Sequence, residues 1–190
     1  MPEESEKQAG FTLRVANLDD AEALEQLIAE SVHGLQAHDY TLEQRNAAIG
    51  SVFGVDRQLI LDGTYFVVEG DSRIVACGGW SRRKTLFGGD HQGGREDALL
   101  DPSTEAARIR AFFVRPGYER RGIGSAIMRA SEEAAAGEGF TSLELRATLT
   151  GIPLYRAHGF IETEMADIPL PSGGTLPTVQ MVKVLQHGRS

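Results

Sequence analysis

Hydrophobic positions along the chain alternate between helical spacing and short continuous runs. Residues 12–15 form a short run with β-branched members that predicts a strand. The next segment predicts an amphipathic helix, with apolar residues at Ala23, Leu24, Leu27, Ile28 and Val32. Asp19 and Asp20 are candidate caps of this helix, and Thr41 is the candidate cap of a second helix that runs towards Phe53.

The rest of the chain predicts a hairpin and then a strand–helix–strand unit. Predicted strands cover residues 64–69, 73–80, 108–114, 142–148, 160 onward and 178–184, with helices from 123 and over 152–157. The first two strands flank a Gly70-Asp71 turn and form the hairpin. Gly159 closes the short second helix. This order indicates an α/β fold with a mixed central sheet and flanking helices.

The length of 190 residues suits one domain with one hydrophobic core. We expect a flexible N-terminal tail over residues 1–10, a single domain over 11–185 and a C-terminal tail over 186–190. Within the domain, residues 81–107 are polar, glycine-rich and longer than a hairpin loop. Such an insertion is expected to cap a functional cleft or to contact a second subunit.

The charge balance and the cysteine count exclude several classes of protein. A net charge of -8 and a pI of about 5.1 leave no overall basic surface for nucleic acid. The single cysteine, Cys77, allows neither an internal disulfide nor a multi-cysteine zinc site, and it fits a reducing compartment. The sequence shows neither a signal peptide nor an apolar run of the roughly 20 residues that span a bilayer. We therefore expect a cytoplasmic protein with no nucleic-acid and no membrane partner.

The most informative segment is the turn between the strand at 108–114 and the helix that follows it. Gly122 and Gly124 stand where this helix begins, so backbone N–H groups can approach a ligand closely. A helix start exposes about four unpaired N–H groups and a partial positive charge. Arg120 and Arg121 add two formal charges in a chain that is acidic overall. The turn therefore predicts an anion site, and a pyrophosphate has the matching size.

Two common phosphate-binding motifs do not fit this turn. Gly117 and Gly122 have the spacing of a P-loop, but Ile123 stands where the P-loop lysine belongs. A dinucleotide-binding fingerprint needs a third glycine, and Ile127 occupies that position. From these residues alone, an ordinary glycine-containing turn with exposed arginines stays open as the alternative.

The same segment resembles the GNAT (GCN5-related N-acetyltransferase) family. Glu119-Arg120-Arg121-Gly122-Ile123-Gly124 follows the family pattern Gln/Arg-x-x-Gly-x-Gly/Ala, from which Glu119 departs. A second family signature is an aromatic-rich helix that ends in Gly-Phe, and it matches Leu154-Tyr155-Arg156-Ala157-His158-Gly159-Phe160. The order and separation of the two signatures also match. The resemblance is tight over residues 108–160 and looser over the rest of the chain.

The resemblance implies a GNAT-like fold and an N-acetyltransferase that uses acetyl-CoA. The basic glycine turn and the lack of a clustered ligand set in the sequence predict that the coenzyme binds without a metal. The acetyl group would pass directly to an amine acceptor, a small molecule or a peptide, in a ternary complex. Tyr155 matches the general acid of the family, and a homodimer is expected because family members often dimerise. Coenzyme binding is implied for residues of the strand and the turn, namely Phe112, Phe113, Val114, Glu119, Arg120, Arg121, Gly122, Ile123, Gly124 and Ser125. Two alternatives are an acyl-CoA-binding module without turnover and an acyltransferase for longer acyl chains.

Other polar residues are expected to play structural roles. The general base is open, and each candidate is expected to be solvated surface: His38, Asp39, Tyr40, Glu43, Asp90 and His91. The Arg82-Arg83-Lys84 segment is expected to be a solvated charge run. We expect Thr148 to bond within its own strand-end turn and Cys77 to be an inert buried thiol.

Strand alternation supplies two further expectations about the segment before the turn. Ile109, Ala111 and Phe113 should lie on one face of their strand, with Phe112 and Val114 on the other. Polar residues of neighbouring strands should pair across the sheet. The expected ion pair joins Arg110 and Glu144.

Overall fold

The structure, a computed structural model, describes residues 7–8, 10–91 and 97–186. Its strands and helices in chain order are β1 (Lys7–Gln8), β2 (Phe11–Val15), α1 (Ala21–Leu35), α2 (Leu42–Ala48), α3 (Arg57–Leu61), β3 (Tyr65–Gly70), β4 (Arg73–Ser81), β5 (Ala107–Val114), α4 (Ile123–Gly137), β6 (Ser142–Thr148), α5 (Ile152–Ala157), β7 (Ile161–Pro169) and β8 (Thr175–Val184). Most of the two expected tails lies outside the described residues, as does the middle of the expected insertion. Where the first tail is described, β1 pairs with β2.

The strands described form one sheet in the order β1-β2-β3-β4-β5-β6-β8-β7. β5 and β6 are parallel and are joined by α4, whereas the other neighbouring pairs are antiparallel. A crossover helix is the usual way to connect parallel strands, because a short turn cannot return the chain to the same end. The predicted α/β fold with a mixed central sheet is confirmed, as is the hairpin of β3 and β4.

Two apolar clusters cover the two faces of the sheet. The cluster beneath α4 and α5 includes the fully buried side chains of Trp80, Ile127, Met128, Leu143 and Leu145. The cluster beneath α1, α2 and α3 includes Leu24, Leu27, Ile28, Leu59 and Leu176, so the helical spacing predicted for α1 marks its buried face. In the described part of the chain, no helix is long and apolar enough to cross a membrane.

Of the two helix caps predicted from the sequence, the cap of α2 is present and the cap of α1 is not. Thr41 caps α2 in a reciprocal capping box, as predicted. Asp20 precedes α1, but its side chain accepts no bond from that helix, because a 3-10 turn capped by Asn17 comes first. α2 ends at Ala48, so the prediction of a helix running towards Phe53 was wrong, and α3 was not predicted.

β5 and β6 separate partway along their length. Their parallel pairing is confined to Ala107 with Leu143 and Arg108 with Glu144. β5 nevertheless runs on to Val114 and β6 to the end of its seven residues. The edge of β5 that faces β6 is therefore left open over its second half, and this opening positions the site described below.

A bulge in β5 lies at this separation. Cys77 of β4 pairs with Phe113, whereas Gly79 pairs with Arg110, so β5 has one residue more than β4 between the two pairs. Ala111 has a φ of 56°, a left-handed conformation that residues other than glycine rarely adopt. The Ala111 carbonyl is held by the buried hydroxyl of Tyr65, which donates to it at 2.8 Å.

The bulge reverses the alternation of side chains along β5. Ile109 belongs to the cluster beneath α4, and Phe112 and Val114 pack against the same cluster. Phe113 belongs to the cluster beneath α1, and Ala111 packs against that one. The expectation that Ile109 shares a face with Ala111 and Phe113 was therefore wrong, because the extra residue shifts the period of two by one position.

Candidate functional site

The turn between β5 and α4 is anchored against α1 at its start. The buried guanidinium of Arg115 pairs with Glu30 and donates to the carbonyl of Ile74 at 3.3 Å. Pro116 then packs on Gly34 of α1, where an added β-carbon would lie 2.5 Å from the proline ring. These contacts fix the end of β5 and so determine where the turn begins.

α4 begins without a side-chain cap. Gly122 is its N-cap residue, in a left-handed conformation with φ of 77°. The amide of Ala126 donates to the Gly122 carbonyl at 3.0 Å and closes the first turn of the helix. The amides of Ile123, Gly124 and Ser125 precede that bond and have no acceptor within the helix. A pyrophosphate requires several N–H donors, and this helix start presents them without a capping side chain in the way.

The charged residues of the turn have two different roles. Arg120 and Arg121 are exposed, and the Arg121 guanidinium lies 5.0 Å from the ring centroid of Tyr118. Glu119 turns its carboxylate back and accepts the amide of Gly117 at 2.6 Å. The two arginines add positive charge beside the helix start, whereas Glu119 stabilises the turn. Together these residues form a candidate site for an anion of the size of a pyrophosphate.

Tyr155, the expected general acid, lies on α5 with its ring between two other aromatic rings. The ring centroids of Phe112 and Phe160 are 6.2 and 5.9 Å away, both edge to face. Gly151 admits the ring, since a β-carbon there would lie 2.8 Å from it. Burial raises the pKa of the Tyr155 hydroxyl above its ordinary value of 10. The phenol is therefore protonated at neutral pH, and no hydrogen bond joins it to another described residue.

Tyr155 borders a cavity of about 60 Å³ at the separation of β5 and β6. The other walls include residues 52–54, residues 86–88, residues 109–113 of β5, and Arg146 of β6. A space of this size holds about four water molecules, so it suits a small group. No carboxylate and no histidine of the described residues lines it.

The predicted insertion reaches the cavity through residues 86–88, and its first residues are tied to the body of the protein. Arg83 donates to both carboxylate oxygens of Asp62, at 2.7 and 2.9 Å. Arg82 pairs with Glu138, the residue that follows α4. The expectation of a solvated charge run was therefore wrong for these two arginines, which hold the insertion in place.

A buried ion pair holds the same segment from the sheet side. The Arg110 guanidinium lies 2.9 Å from the Asp56 carboxylate, with the two side chains 2% and 1% exposed. It also donates to the carbonyls of Thr85 and Gly88, at 3.1 and 2.6 Å. One β5 side chain thus ties β5 to two other segments near the cavity, at Asp56 and at residues 85–88.

The expected ion pair between Arg110 and Glu144 was wrong. Glu144 pairs with Arg108, which is its register partner on β5. Glu144 also accepts a hydrogen bond from the side-chain amide of Gln180, at 2.8 Å. The prediction failed because β5 and β6 separate beyond Arg108, which carries Arg110 away from β6.

None of the six candidate bases lines the cavity. Tyr40 is buried, and its hydroxyl donates to the carbonyl of Pro177 at 2.6 Å and accepts the amide of Leu149 at 2.9 Å. Asp90 pairs with Arg57 at 2.6 Å. The expectation of solvated surface was wrong for these two, and the other four are exposed as expected: His38, Asp39, Glu43 and His91.

Two structural expectations near the cavity are confirmed. The Thr148 hydroxyl accepts the amide of Gly151 at 3.2 Å and so caps its own turn. Cys77 is fully buried, and burial raises the pKa of its thiol to about 12. A thiol in that state is a poor nucleophile, because the thiolate is the reactive form.

Sequence reasoning did not assign Asp56 or Phe87 to the site. Asp56 caps the unpredicted helix α3 by accepting the amide of Gln58 at 3.0 Å, and a five-residue helix leaves little periodic signal. Arg146 and Thr148 are two positions apart on β6 and both line the cavity, as strand alternation allows. The sequence did not indicate that residues 86–88 of the insertion line the same cavity.

The structure is an α/β fold with a candidate anion site at the turn that follows β5, where a parallel strand pair has opened. The chain belongs to the GNAT family of acetyltransferases. A family model described as an acetyltransferase (GNAT) domain matches residues 61–162, which is more than half of the chain. The match spans the turn before α4, β6 and Tyr155.

Solved structures share the fold at low sequence identity. A GCN5-related N-acetyltransferase from Rhodopseudomonas palustris is 19% identical, with a TM-score of 0.68 over 91% of this chain and 94% of its own. The PaiA N-acetyltransferase from Thermoplasma acidophilum, solved with coenzyme A, is 16% identical, with a TM-score of 0.62 over 92% and 98%. YncA from Salmonella typhimurium, solved with acetyl-CoA, is 15% identical, with a TM-score of 0.61 over 96% and 98%. Comparison with curated proteins finds no match.

Proposed function

We propose that this protein transfers the acetyl group of acetyl-CoA to an amine acceptor by direct attack within a ternary complex. The observation that carries the proposal is the position of Tyr155 beside both the cavity and the coenzyme turn. Its helix, α5, contacts the start of α4 through His158 and Ser125, whose Nε2 and Oγ atoms are 3.0 Å apart. Structures of the same fold with coenzyme A and acetyl-CoA support the choice of cosubstrate.

The residues of the turn would bind the pyrophosphate of the coenzyme. The amides of residues 122–125 would donate to the phosphate oxygens, and Arg120 and Arg121 would neutralise their charge. Backbone groups of residues 112–114, on the open edge of β5, would pair with the pantetheine arm. Glu119 would act by stabilising the turn. The thioester would then lie beside Tyr155 at the mouth of the cavity.

The reaction needs one proton to be supplied and one to be lost. The nitrogen of the neutral amine attacks the thioester carbon, the C–S bond breaks, and the leaving thiolate takes the Tyr155 hydroxyl proton. The phenolate regains a proton from solvent, and the new amide nitrogen releases one to water. Burial raises the pKa of the Tyr155 phenol. A leaving thiolate in the same surroundings would also have a raised pKa, because burial disfavours both anions, so proton transfer from the phenol to the sulfur stays feasible.

Two observations favour this route over the alternatives. A covalent relay through Cys77 is disfavoured, because that thiol is fully buried and its pKa is about 12. The cavity of about 60 Å³ would have to admit the acceptor as well, which leaves no room for an acyl chain longer than acetyl. The homodimer and the cytoplasmic location expected from the sequence stay predictions.

The test is Tyr155→Phe, which keeps the ring and its packing and removes the proton donor. We expect kcat to fall by at least about tenfold. General-acid catalysis typically contributes about 10²–10⁴-fold to a rate. Acetyl-CoA affinity should hardly change. The defect should shrink with an acetyl thioester of a more acidic thiol, since a better leaving group needs less protonation.

Two outcomes would contradict the proposal. Wild-type turnover in Tyr155→Phe would reduce the tyrosine to a packing residue. Coenzyme binding with no acetylation across amines, amino acids and peptides, and no thioester hydrolysis, would make the protein a binding module. The rate should also be measured over a range of pH. Because only the neutral amine can attack, we expect the rate to rise as the ammonium group of the acceptor deprotonates.

A further inference from the structure

One arginine that lines the cavity forms no ion pair with any carboxylate of the described residues. Arg146 lies in the middle of β6 and lines the cavity together with Tyr155. Among the described residues, no carboxylate lies within ion-pair distance of it. Glu164, an exposed residue of β7, attracts it electrostatically without a contact. Burial lowers the pKa of the Arg146 guanidinium, which shows that its charge is held at a cost in free energy.

The other arginines of this region are already paired. Arg110 lines the cavity too, but its charge is matched by Asp56 behind the wall. Arg108 is matched by Glu144. Three arginines thus share two carboxylates, and the unmatched charge is the one at Arg146.

The surroundings of Arg146 fix its orientation, and its terminal nitrogens form no hydrogen bond with any residue that the structure describes. Its Nε donates to the side-chain oxygen of Gln180 at 3.1 Å. The amide nitrogen of Gln180 donates in turn to Glu144, so a neutral amide separates Arg146 from that carboxylate. The guanidinium carbon lies 5.6 Å from the ring centroid of Phe87, which holds the guanidinium from the insertion side. The two terminal N–H₂ groups form the fork that binds a carboxylate in bidentate fashion.

We propose that the amine acceptor also carries a carboxylate, which Arg146 binds inside the cavity, so that the substrate is a small amino carboxylate such as an amino acid. The proposal rests on the proposed function, since it places the acceptor in the cavity beside Tyr155. The small volume, the lack of acidic lining residues and the unmatched guanidinium all favour such a molecule over a polyamine or a lysine side chain. The net charge of -8 would by itself favour a cationic acceptor, but the lining of the cavity points the other way.

The experiment first measures acetyl-CoA binding alone, which reports on the proposed function and not on this inference. The coenzyme A complex is then titrated calorimetrically with N-acetyl amino acids and with their carboxamides, which have the same size and no charge. The probes are the glycine, β-alanine, glutamate, leucine and phenylalanine pairs. Because these are product analogues, the measurement needs no turnover.

We expect at least one carboxylate to bind at least about tenfold more tightly than its carboxamide, as a charge-assisted bidentate contact should. Arg146→Gln should abolish the difference, and Arg146→Lys, which keeps the charge and loses the fork, should restore part of it. Arg129→Gln, an exposed arginine of α4, is the matched control and should behave as wild type. Melting temperatures of all variants check folding.

Two results would overturn the inference while leaving acetyl transfer intact. One is the absence of any carboxylate that binds better than its carboxamide to the wild-type complex, whether or not the carboxamides bind. The other is a carboxylate preference that persists unchanged in folded Arg146→Gln. Kinetics with free amino acids and their amides should agree, through a rise in the acceptor KM of the variant with an unchanged KM for acetyl-CoA.

Discussion

The proposed coenzyme site and the surroundings of the cavity are built in different ways. The proposed coenzyme site, called the coenzyme side below, comes from one continuous stretch, β5 to α5, and its candidate donors are backbone amides at a helix start. The surroundings of the cavity, called the acceptor side below after the proposed acceptor, are assembled from distant segments by individual side chains. Arg110 reaches Asp56 across 54 residues, and Tyr40 reaches Pro177 across 137. The first kind of site is encoded locally, whereas the second depends on single long-range contacts and should be easier to damage.

The largest expected effect is on the acceptor side, with Asp56→Ala. The variant leaves the buried Arg110 guanidinium without its counter-charge, and the free energy of unfolding should fall by about 3–5 kcal/mol. Equilibrium unfolding in urea measures this free energy. Asp90→Ala, which breaks the more exposed pair with Arg57, is the control and should cost about 1 kcal/mol or less. Equal losses would contradict the account of a buried, site-building pair.

A smaller loss is expected for Tyr40→Phe. Removing the hydroxyl leaves the carbonyl of Pro177 and the amide of Leu149 without their partner, at a cost of about 1–3 kcal/mol. On the coenzyme side, Tyr118→Phe removes a bond to the exposed Asp71 and should cost less. Unfolding curves for the two variants compare the two sides directly, and a larger loss for Tyr118→Phe would reverse the comparison.

The smallest expected effect is a pH dependence on the coenzyme side. Burial, with smaller contributions from Lys183 and Arg129, lowers the pKa of His158 below its ordinary value of 6.5, against the opposing effect of Glu132. Below about pH 6.5 the unfolded chain therefore binds a proton that the native state resists, and stability falls. Between pH 7.5 and 5.5, the melting temperature of His158→Gln should fall by less than that of wild type. If the melting temperatures of the two proteins fall in parallel, His158 does not cause the pH dependence.

The same contrast explains how far the sequence could be interpreted. The helix start at Gly122 and the strand–helix–strand order follow from local spacing, whereas Tyr155 was singled out by the family resemblance. The faces of β5 could not be predicted, because the bulge at Ala111 arises from the pairing with β4. The partner of Arg110 could not be predicted either, since Asp56 has no pattern that links it to β5. Local geometry is encoded in short segments, and acceptor-side contacts appear only once the chain is folded.

The central claim is that the uncapped start of α4 binds the pyrophosphate of acetyl-CoA. The most direct test is calorimetric titration of acetyl-CoA, with chelator present, into wild type, Gly124→Val and Gly137→Val. An added β-carbon at Gly124 comes within 3.3 Å of the flexible end of Leu154, so the fold should tolerate the change while the branched side chain blocks the phosphate. Gly137, at the other end of α4, has nothing within 4 Å of an added β-carbon and is the matched control.

We expect one site per chain in wild type and in Gly137→Val. Gly124→Val should bind at least about tenfold more weakly, a loss of about 1.4 kcal/mol. Unchanged affinity in a folded Gly124→Val variant, or no binding by wild type at millimolar acetyl-CoA, would contradict the claim.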